Sequence, residues 1–367
     1  MNSNHFFWAK LGNDIWPEMY HPVICHLIDV GAVSWELWCK CLRDREKQAI
    51  AHRIGFESVD DAGSWISFWV GVHDIGKITP CFQFQGKTEE LRKRLTSEGY
   101  NTPIGNEHHT ITGTKVLAEY LEQENACPKL DQQLARNVAV AVGGHHGRFP
   151  SNWNELGDVL GNSQWADARR KILHELARVF AIVDRPAPKL TPGGDQSVWM
   201  ILAGLTSVAD WIGSNVTFFP SFVSRDRLQE TTFDINDYFA NAKGKATAAL
   251  KALGWLDRAE ATGKVATFQE ATGIAKPRPL QEKIIPLAED MAKTGIPKLF
   301  IIESPMGEGK TEAAWYVADC WDRGGGAGTY VALPTIATSN QMFGRVAKFL
   351  KRSQEKGQLF PISCHRT

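Results

Sequence analysis

An imidazole and a carboxylate stand side by side in Val70-Gly71-Val72-His73-Asp74-Ile75-Gly76-Lys77, directly after the apolar run Trp65-Ile66-Ser67-Phe68-Trp69-Val70. On a rigid element, such a pair offers a hard oxygen and a borderline nitrogen to a metal ion. The plain alternative is a helix end with two solvated polar residues. A second cluster, Gly143-Gly144-His145-His146-Gly147, sets two imidazoles between glycines that let the backbone turn tightly. Packing gives no reason for that pattern, so it reads as metal ligation, with an anion-binding turn or a solvated loop as the other options. Three further places add donors. His26 lies among apolar neighbours, where a lone His is usually a satisfied core residue. His108 and His109 lead into a helix, and either can be a cap or a ligand. Asp210 falls inside the apolar run Val198–Gly213 and needs a metal ion, Lys or Arg, because an unpaired buried carboxylate is costly. Ser214 follows it by one helical turn, on the same face.

Together, His26, His73, Asp74, one of the His108-His109 pair, His145, His146 and Asp210 exceed what a single ion uses once water has a place. Two ions sharing one carboxylate would use them all, and Asp74 is the natural bridge because it adjoins His73. Two divalent ions ~3.5–4 Å apart activate a water and hold the oxygens of an in-line phosphoryl displacement. So many imidazoles favour iron, manganese, cobalt, nickel or zinc over magnesium. Lys77, one turn beyond the pair, is placed to neutralise charge on a phosphorane-like transition state.

A separate signal lies at Lys298-Leu299-Phe300-Ile301-Ile302, a short apolar run followed by Glu303-Ser304-Pro305-Met306-Gly307-Glu308-Gly309-Lys310-Thr311. Strand, glycine loop, Lys-Thr and helix make a phosphate cradle, with Lys310 on the outer phosphates and Thr311 on a magnesium ion. Ser304 stands where the strict pattern has Gly. A glycine-rich turn (Gly324 to Gly328) and a second strand, Thr329-Tyr330-Val331-Ala332-Leu333, continue a parallel α/β unit.

The elements that must position the first set read as helices. One runs from Pro22 to about Leu42, and the Trp-rich one ends near Gly76, where glycine can turn left-handed. Others cover Lys115 to Gln123, Leu130 to Val142, Val198 to Gly213 and Asn236 to Leu253. Residues 43–63 read as a polar connection, 86–106 as a mobile charged loop and 151–196 as polar helices with loops. His21 and Asp29 read as surface or capping residues. A chain of 367 residues is long for one core, so two domains are expected. Lys plus Arg and Asp plus Glu balance at 41 each, so any nucleic-acid site must be a local groove. There is no secretory signal at the start and no apolar stretch near the ~20 residues of a membrane helix. Seven Cys without CxxC spacing fit reduced thiols in a cytoplasm.

His26, His73-Asp74 with Lys77, His109, Gly144-His145-His146-Gly147 and Ala209-Asp210-Trp211 through Ser214 resemble the HD nuclease domain of the CRISPR-associated type I helicase–nucleases. The resemblance continues through Pro279-Leu280-Gln281, similar to the helicase Q motif, and the loop at 303–311. It extends to Ala332-Leu333-Pro334-Thr335-Ile336-Ala337-Thr338-Ser339-Asn340, similar to motif Ia, and so covers essentially the whole chain. It implies a mainly α HD-type helical domain at 1–255, a linker at 256–275 and a partial α/β RecA-like P-loop lobe at 276–367. It further implies two divalent transition-metal ions, cleavage of single-stranded DNA with Asp74 and Lys77 in catalysis, and delivery of that DNA by the RNA-guided Cascade complex. His109 rather than His108 is the implied ligand, because Gly113 sits where the family has a small residue. Gln281, Gly307, Gly309, Lys310 and Thr311 are the implied site for ATP with magnesium. The family's Asp-Glu-x-His box and second lobe do not follow before Thr367, which leaves the motor incomplete in this chain. Two other readings compete: an HD phosphohydrolase acting on nucleotides, and an inactive or regulatory nucleotide-binding fragment. The helicase-like part argues against the first, and the full donor set argues against the second.

Overall fold

A helix that is apolar on every side must be buried on every side. In the computed structural model, α1 (Val23–Glu36) is buried at each residue from Val23 to Ser34. The structure describes residues 7–12, 19–85, 89–123, 129–190, 196–220, 223–224, 234–256, 266–296, 298–324, 329, 331 and 342–349. Two compact units divide the chain, Met1–Ala252 and Leu253–Thr367.

In the first unit a π-helical turn, Leu37–Cys41, carries α1 on to its expected end. Residues expected to form a polar connection instead hold α2 (Asp44–Ile54), which buries only Ala51 and Ile54 and ends at left-handed Gly55. A helix with so narrow an apolar stripe leaves little periodicity to detect. Ser58 caps α3 (Val59–Gly71) by accepting from the Asp61 amide, and Trp65, Phe68 and Trp69 fill the core beneath it. That helix ends at Gly71 rather than near Gly76, so His73 and Asp74 sit in a turn before a 3-10 segment, Ile75–Lys77.

After α4 (Pro80–Gln83) comes α5 (Glu89–Ser97), where a mobile loop was expected; its largely polar sequence hides the helical spacing. The remaining helices are α6 (His109–Glu122), α7 (Gln132–Gly143), α8 (Ser163–Val179), α9 (Ser197–Gly213) and α10 (Ile235–Ala252). Around α1 pack α3, α9 and α10, while α6 pairs with α7, and α7 reaches α9. A small antiparallel sheet, β1 (Trp8–Leu11), β2 (Met19–Pro22) and β3 (Val223–Ser224), joins the start of this unit to the segment after α9. No helix among the described residues is long and apolar enough to cross a membrane.

Two expectations are corrected here by burial. His21 and Asp29 are core residues, not surface ones: His21 Nε2 donates to Asp29 Oδ2 at 3.0 Å, and Tyr238 Oη donates to the same oxygen at 3.2 Å. Each group has one buried atom satisfied by this contact, His21 Nε2 and Asp29 Oδ2. Gly76 is not a left-handed helix cap. It is there because α6 passes too close for a side chain: a Cβ would lie 2.0 Å from the His109 carbonyl oxygen and 2.5 Å from the Gly113 nitrogen.

The second unit contains α11 (Phe268–Thr272), α12 (Pro279–Thr294) and α13 (Lys310–Arg323), packed around Phe268, Ala271, Ala288, Tyr316 and Cys320. The strand expected at 298–302 does not form, and Leu299 and Ile301 are exposed. A strand needs a hydrogen-bonding neighbour, and none is present among the described residues of this unit. Residues 332–340, which resemble motif Ia, lie outside the described residues, as does most of the second expected strand.

The contact at Gly76 leads to a paired prediction. Gly76→Ala should cost about 3 kcal/mol, at the upper end for overpacking, because backbone rather than a flexible side chain must yield. Gly204→Ala, at an exposed α9 position with nothing near the added methyl, should instead stabilise by about 0.5–1 kcal/mol. Urea denaturation of the two variants measures both.

Candidate metal centre

The turn after α3 and the turn after α7 use the same local device. Helix ends leave carbonyls without partners, and in each case a histidine three residues on takes one. His73 Nδ1 donates to the Val70 carbonyl at 3.0 Å, and His145 Nδ1 donates to the Val142 carbonyl at 2.7 Å. A carbonyl can only accept, so Nδ1 carries the proton in both rings and Nε2 is the atom left facing the centre.

There it meets Asp74, whose carboxylate stands between two groups of donors. Asp74 Oδ2 lies 3.0 Å from His26 Nε2 and 3.4 Å from His73 Nε2. Asp74 Oδ1 lies 3.3 Å from His109 Nε2 and 3.6 Å from His145 Nε2. Asp210 Oδ1 completes the first group at 3.7 Å from His26 Nε2 and 3.5 Å from His73 Nε2. His146 Nε2 completes the second at 3.4 Å from His109 Nε2. In each triad, His26–His73–Asp210 and His109–His145–His146, the donor atoms all lie within 4.8 Å of one another. All seven donors of the expected set therefore converge, from α1, α6, α9 and the two turns. His108 is exposed and caps α6, its Nδ1 accepting from the Thr110 amide.

Burial is steepest at the bottom of the centre, where His26, His73, Asp74 and His145 are shielded, and His146 is exposed at its mouth. Among the described residues, His73 Nε2, His145 Nε2 and Asp74 Oδ1 are buried and have no hydrogen-bond partner. Buried polar atoms are rarely left so. Imidazole nitrogens and carboxylate oxygens turned toward one another at these distances fit cations placed between them. The donor set suits divalent metal ions.

Protonation follows from the same crowding. Burial drives His26 well below its ordinary value, with the Lys77 ammonium adding to the effect. Burial presses His145 down to about 3, so its Nε2 lone pair is free at neutral pH. His73 is also pushed down by burial, but the Asp74 and Asp210 carboxylates outweigh it and hold it at about 9. For Asp74, burial works upward, but Lys77, His73 and the neighbouring His109 and His26 hold it well below the carboxylate range. Lys77 Nζ sits 2.6 Å from Asp74 Oδ2, and its charge lies 5.7 Å from the centre of the Phe82 ring.

Three supporting residues escaped the sequence reading. Lys10 of β1 bonds the Ser214 carbonyl at 2.9 Å, and burial followed by the like charge of Lys77 pulls its ammonium down to about 8. Gln83 grips the backbone of both Trp8 and Lys77. Arg169 of α8 donates to the Ile78 carbonyl at 2.8 Å, fixing the chain just past the metal turn. Their partners are far away in sequence, so no local pattern announced them.

The glycine loop of the second unit has its own order. Gly307 and Gly309 both have positive φ, 86° and 80°, which a glycine adopts without strain. Lys310 Nζ donates to the Ser304 and Pro305 carbonyls, and α13 starts at Lys310 with Thr311 in its first turn. Gln281, expected at the ATP site, is buried, accepts from the Arg278 amide at 2.9 Å and donates to the Gly309 carbonyl at 3.2 Å. In this arrangement it supports the loop.

A family model described as Cas3, HD domain, matches residues 8–219, a stretch that contains all seven donors. Over 365 residues the chain is 34% identical to a CRISPR-associated endonuclease/helicase Cas3 of Thermus thermophilus, covering 96% of this chain and 36% of that protein. It thus spans a little over a third of this relative's length. A crystal structure of T. fusca Cas3 with ATP superposes with a TM-score of 0.62 at 28% identity, covering 95% of this chain and 37% of that one. A chain of a CRISPR RNA-guided surveillance complex in a pre-nicking state superposes with a TM-score of 0.56 at 26% identity, covering 94% and 38%.

The charged state of His73 gives the centre a pH signature. An ion taking its Nε2 must displace the proton, so binding at pH 7 should release about one proton per protein. Affinity should rise with pH and level off above about 9, where His73 has lost that proton unaided. Calorimetric titration with Mn2+ in buffers of different ionisation enthalpy measures the number released.

Proposed function

The chain belongs to the Cas3 HD-domain family, and from that premise we propose that its first unit is a metal-dependent nuclease that cuts single-stranded DNA with two divalent transition-metal ions. The observation that carries this reading is Asp74, with one carboxylate oxygen turned toward each triad. His26, His73 and Asp210 would hold one ion, and His109, His145 and His146 the other, with Asp74 shared between them. Such a pair of ions supplies an activated water and Lewis-acid stabilisation of the scissile phosphate. The residues do the rest. Val70 and Val142 keep Nε2 of His73 and His145 aimed inward. Lys77, beside Asp74, adds positive charge where the phosphate becomes more negative. A recessed centre with its mouth at His146 favours one strand over a duplex, and the balanced overall charge favours sequence-independent contact in a local groove.

By the same reading, residues 1–255 are the nuclease domain, 256–275 a linker and 276–367 the beginning of a RecA-like helicase lobe that binds ATP with magnesium. The left-handed glycines ahead of α13 support the nucleotide site, and the T. fusca relative was solved with ATP. Likeness to a chain of an RNA-guided surveillance complex supports work alongside Cascade. The thiols of Cys25, Cys39, Cys81 and Cys320 support a reducing cytoplasm.

The nuclease reading is tested by incubating the protein with Mn2+ and circular single-stranded DNA, the matching duplex or free nucleotides. Single strands should be cut without sequence preference, more slowly as salt rises, and Asp74→Ala should lose on the order of 10³-fold in rate while remaining folded. Hydrolysis of nucleotides with intact single strands would transfer the site to the nucleotide phosphohydrolases. For the second unit, Lys310→Ala should weaken binding of a fluorescent ATP analogue by about tenfold or more, as expected for loss of a charged phosphate contact. Cleavage of free single strands should not change, because all seven donors lie in the first unit.

A further inference from the structure

β1 carries none of the seven donors, yet it bonds to the segment that holds one of them. Its pairing with β2 is irregular: Trp8 lies opposite Pro22 and Lys10 opposite His21, so two steps on one strand match one on the other. A bulge of this kind re-aims the side chain that follows it. The re-aimed chain here is Lys10, half-buried, with its ammonium 2.9 Å from the Ser214 carbonyl oxygen. Ser214 is the residue just past α9, where helices commonly fray. Its amide donates to the Asp210 carbonyl at 2.7 Å and its hydroxyl donates to Asp210 Oδ1 at 2.7 Å. That oxygen is the one facing His26 and His73.

The other end of β1 is fastened just as firmly. Gln83 accepts from the Trp8 amide at 3.2 Å and donates to the Trp8 carbonyl at 2.9 Å and the Lys77 carbonyl at 2.8 Å. Trp8 Nε1 returns a bond to the Gln83 carbonyl at 3.1 Å. The strand therefore spans from the His73–Lys77 turn to the end of α9, where Lys10 holds it.

We propose that Lys10 is a positioning residue: through Ser214 it holds Asp210 Oδ1 in place and so sets the ion position formed by His26, His73 and Asp210, leaving the other triad untouched. Hydrogen bonds that orient a ligating carboxylate are worth about 10–100-fold in metal affinity. None of the three imidazoles of the other triad bonds to Ser214 or Lys10. The inference rests on the two-ion reading above.

The test uses Lys10→Met, which keeps a long buried stem, together with Ser214→Ala and Ser214→Thr. Binding of Co2+ to the 367-residue protein is followed by calorimetry and by the visible spectrum of the bound ion, and the Tm is measured without metal. The parent should bind two ions. Lys10→Met and Ser214→Ala should each weaken one ion by about 10–100-fold, alter its spectrum and leave the second ion unchanged. Combining them should add little, and Ser214→Thr, which keeps the hydroxyl, should restore the parent behaviour. Two ions in the parent with unchanged affinities in Lys10→Met would overturn this inference alone. So would equal weakening of both ions in step with a fall in metal-free Tm, which would make Lys10 a structural strut. A parent that takes up a single ion overturns the two-ion reading and this inference with it.

Discussion

The buried carboxylate of Asp74 is the constraint from which the rest of the first unit follows. An ionised oxygen pair this deep is tolerated only when surrounded by groups that welcome negative charge. Here they are four imidazoles and the Lys77 ammonium, all within 3.6 Å of one or other oxygen. No single element could supply them. α1 provides His26, α6 provides His109, the turn after α7 provides His145, and Asp74's own turn provides His73 and Lys77. The helices must therefore meet at one point, which explains the missing side chain at Gly76: the chain there touches the first turn of α6.

Orientation is achieved with little machinery. An α-helix ends with unsatisfied carbonyls and a partial negative charge, and α3 and α7 each direct that end at an imidazole three residues on. One bond satisfies a carbonyl, fixes a tautomer and aims Nε2. The price is exact helix length, since moving the end of α3 to Gly76 would carry His73 back into the helix.

The side chains that converge on Asp74 were legible in the sequence where residue type alone was eloquent. Gly-Gly-His-His-Gly has no packing use, and an Asp among Val, Ala, Trp and Ile at 208–212 demands a partner. The mainly helical HD-type character was legible for the same reason that α1 and α9 are: long apolar runs at helical spacing. What stayed hidden depends on contacts between distant residues. His21 and Asp29 look hydrophilic one at a time and are core residues as a pair. Lys10 meets Ser214 across most of the unit, and Gln83 meets Trp8 across the first third of it. Amphipathic α2 and α5 carry too few apolar residues to betray a period. The run at 298–302 has strand composition, but composition cannot provide the neighbour that a strand requires.

The spread of the donors along the chain also sets a schedule. His26 is the first and Asp210 the last, and translation at typical rates separates them by roughly 10–40 s. Until α9 has left the ribosome His26 and His73 lack the Asp210 carboxylate, while Asp74 and the His109–His145–His146 group are already made; until Ser224 has left, the small sheet lacks a strand. On the two-ion reading, a chain still being made thus completes one ion position well before the other.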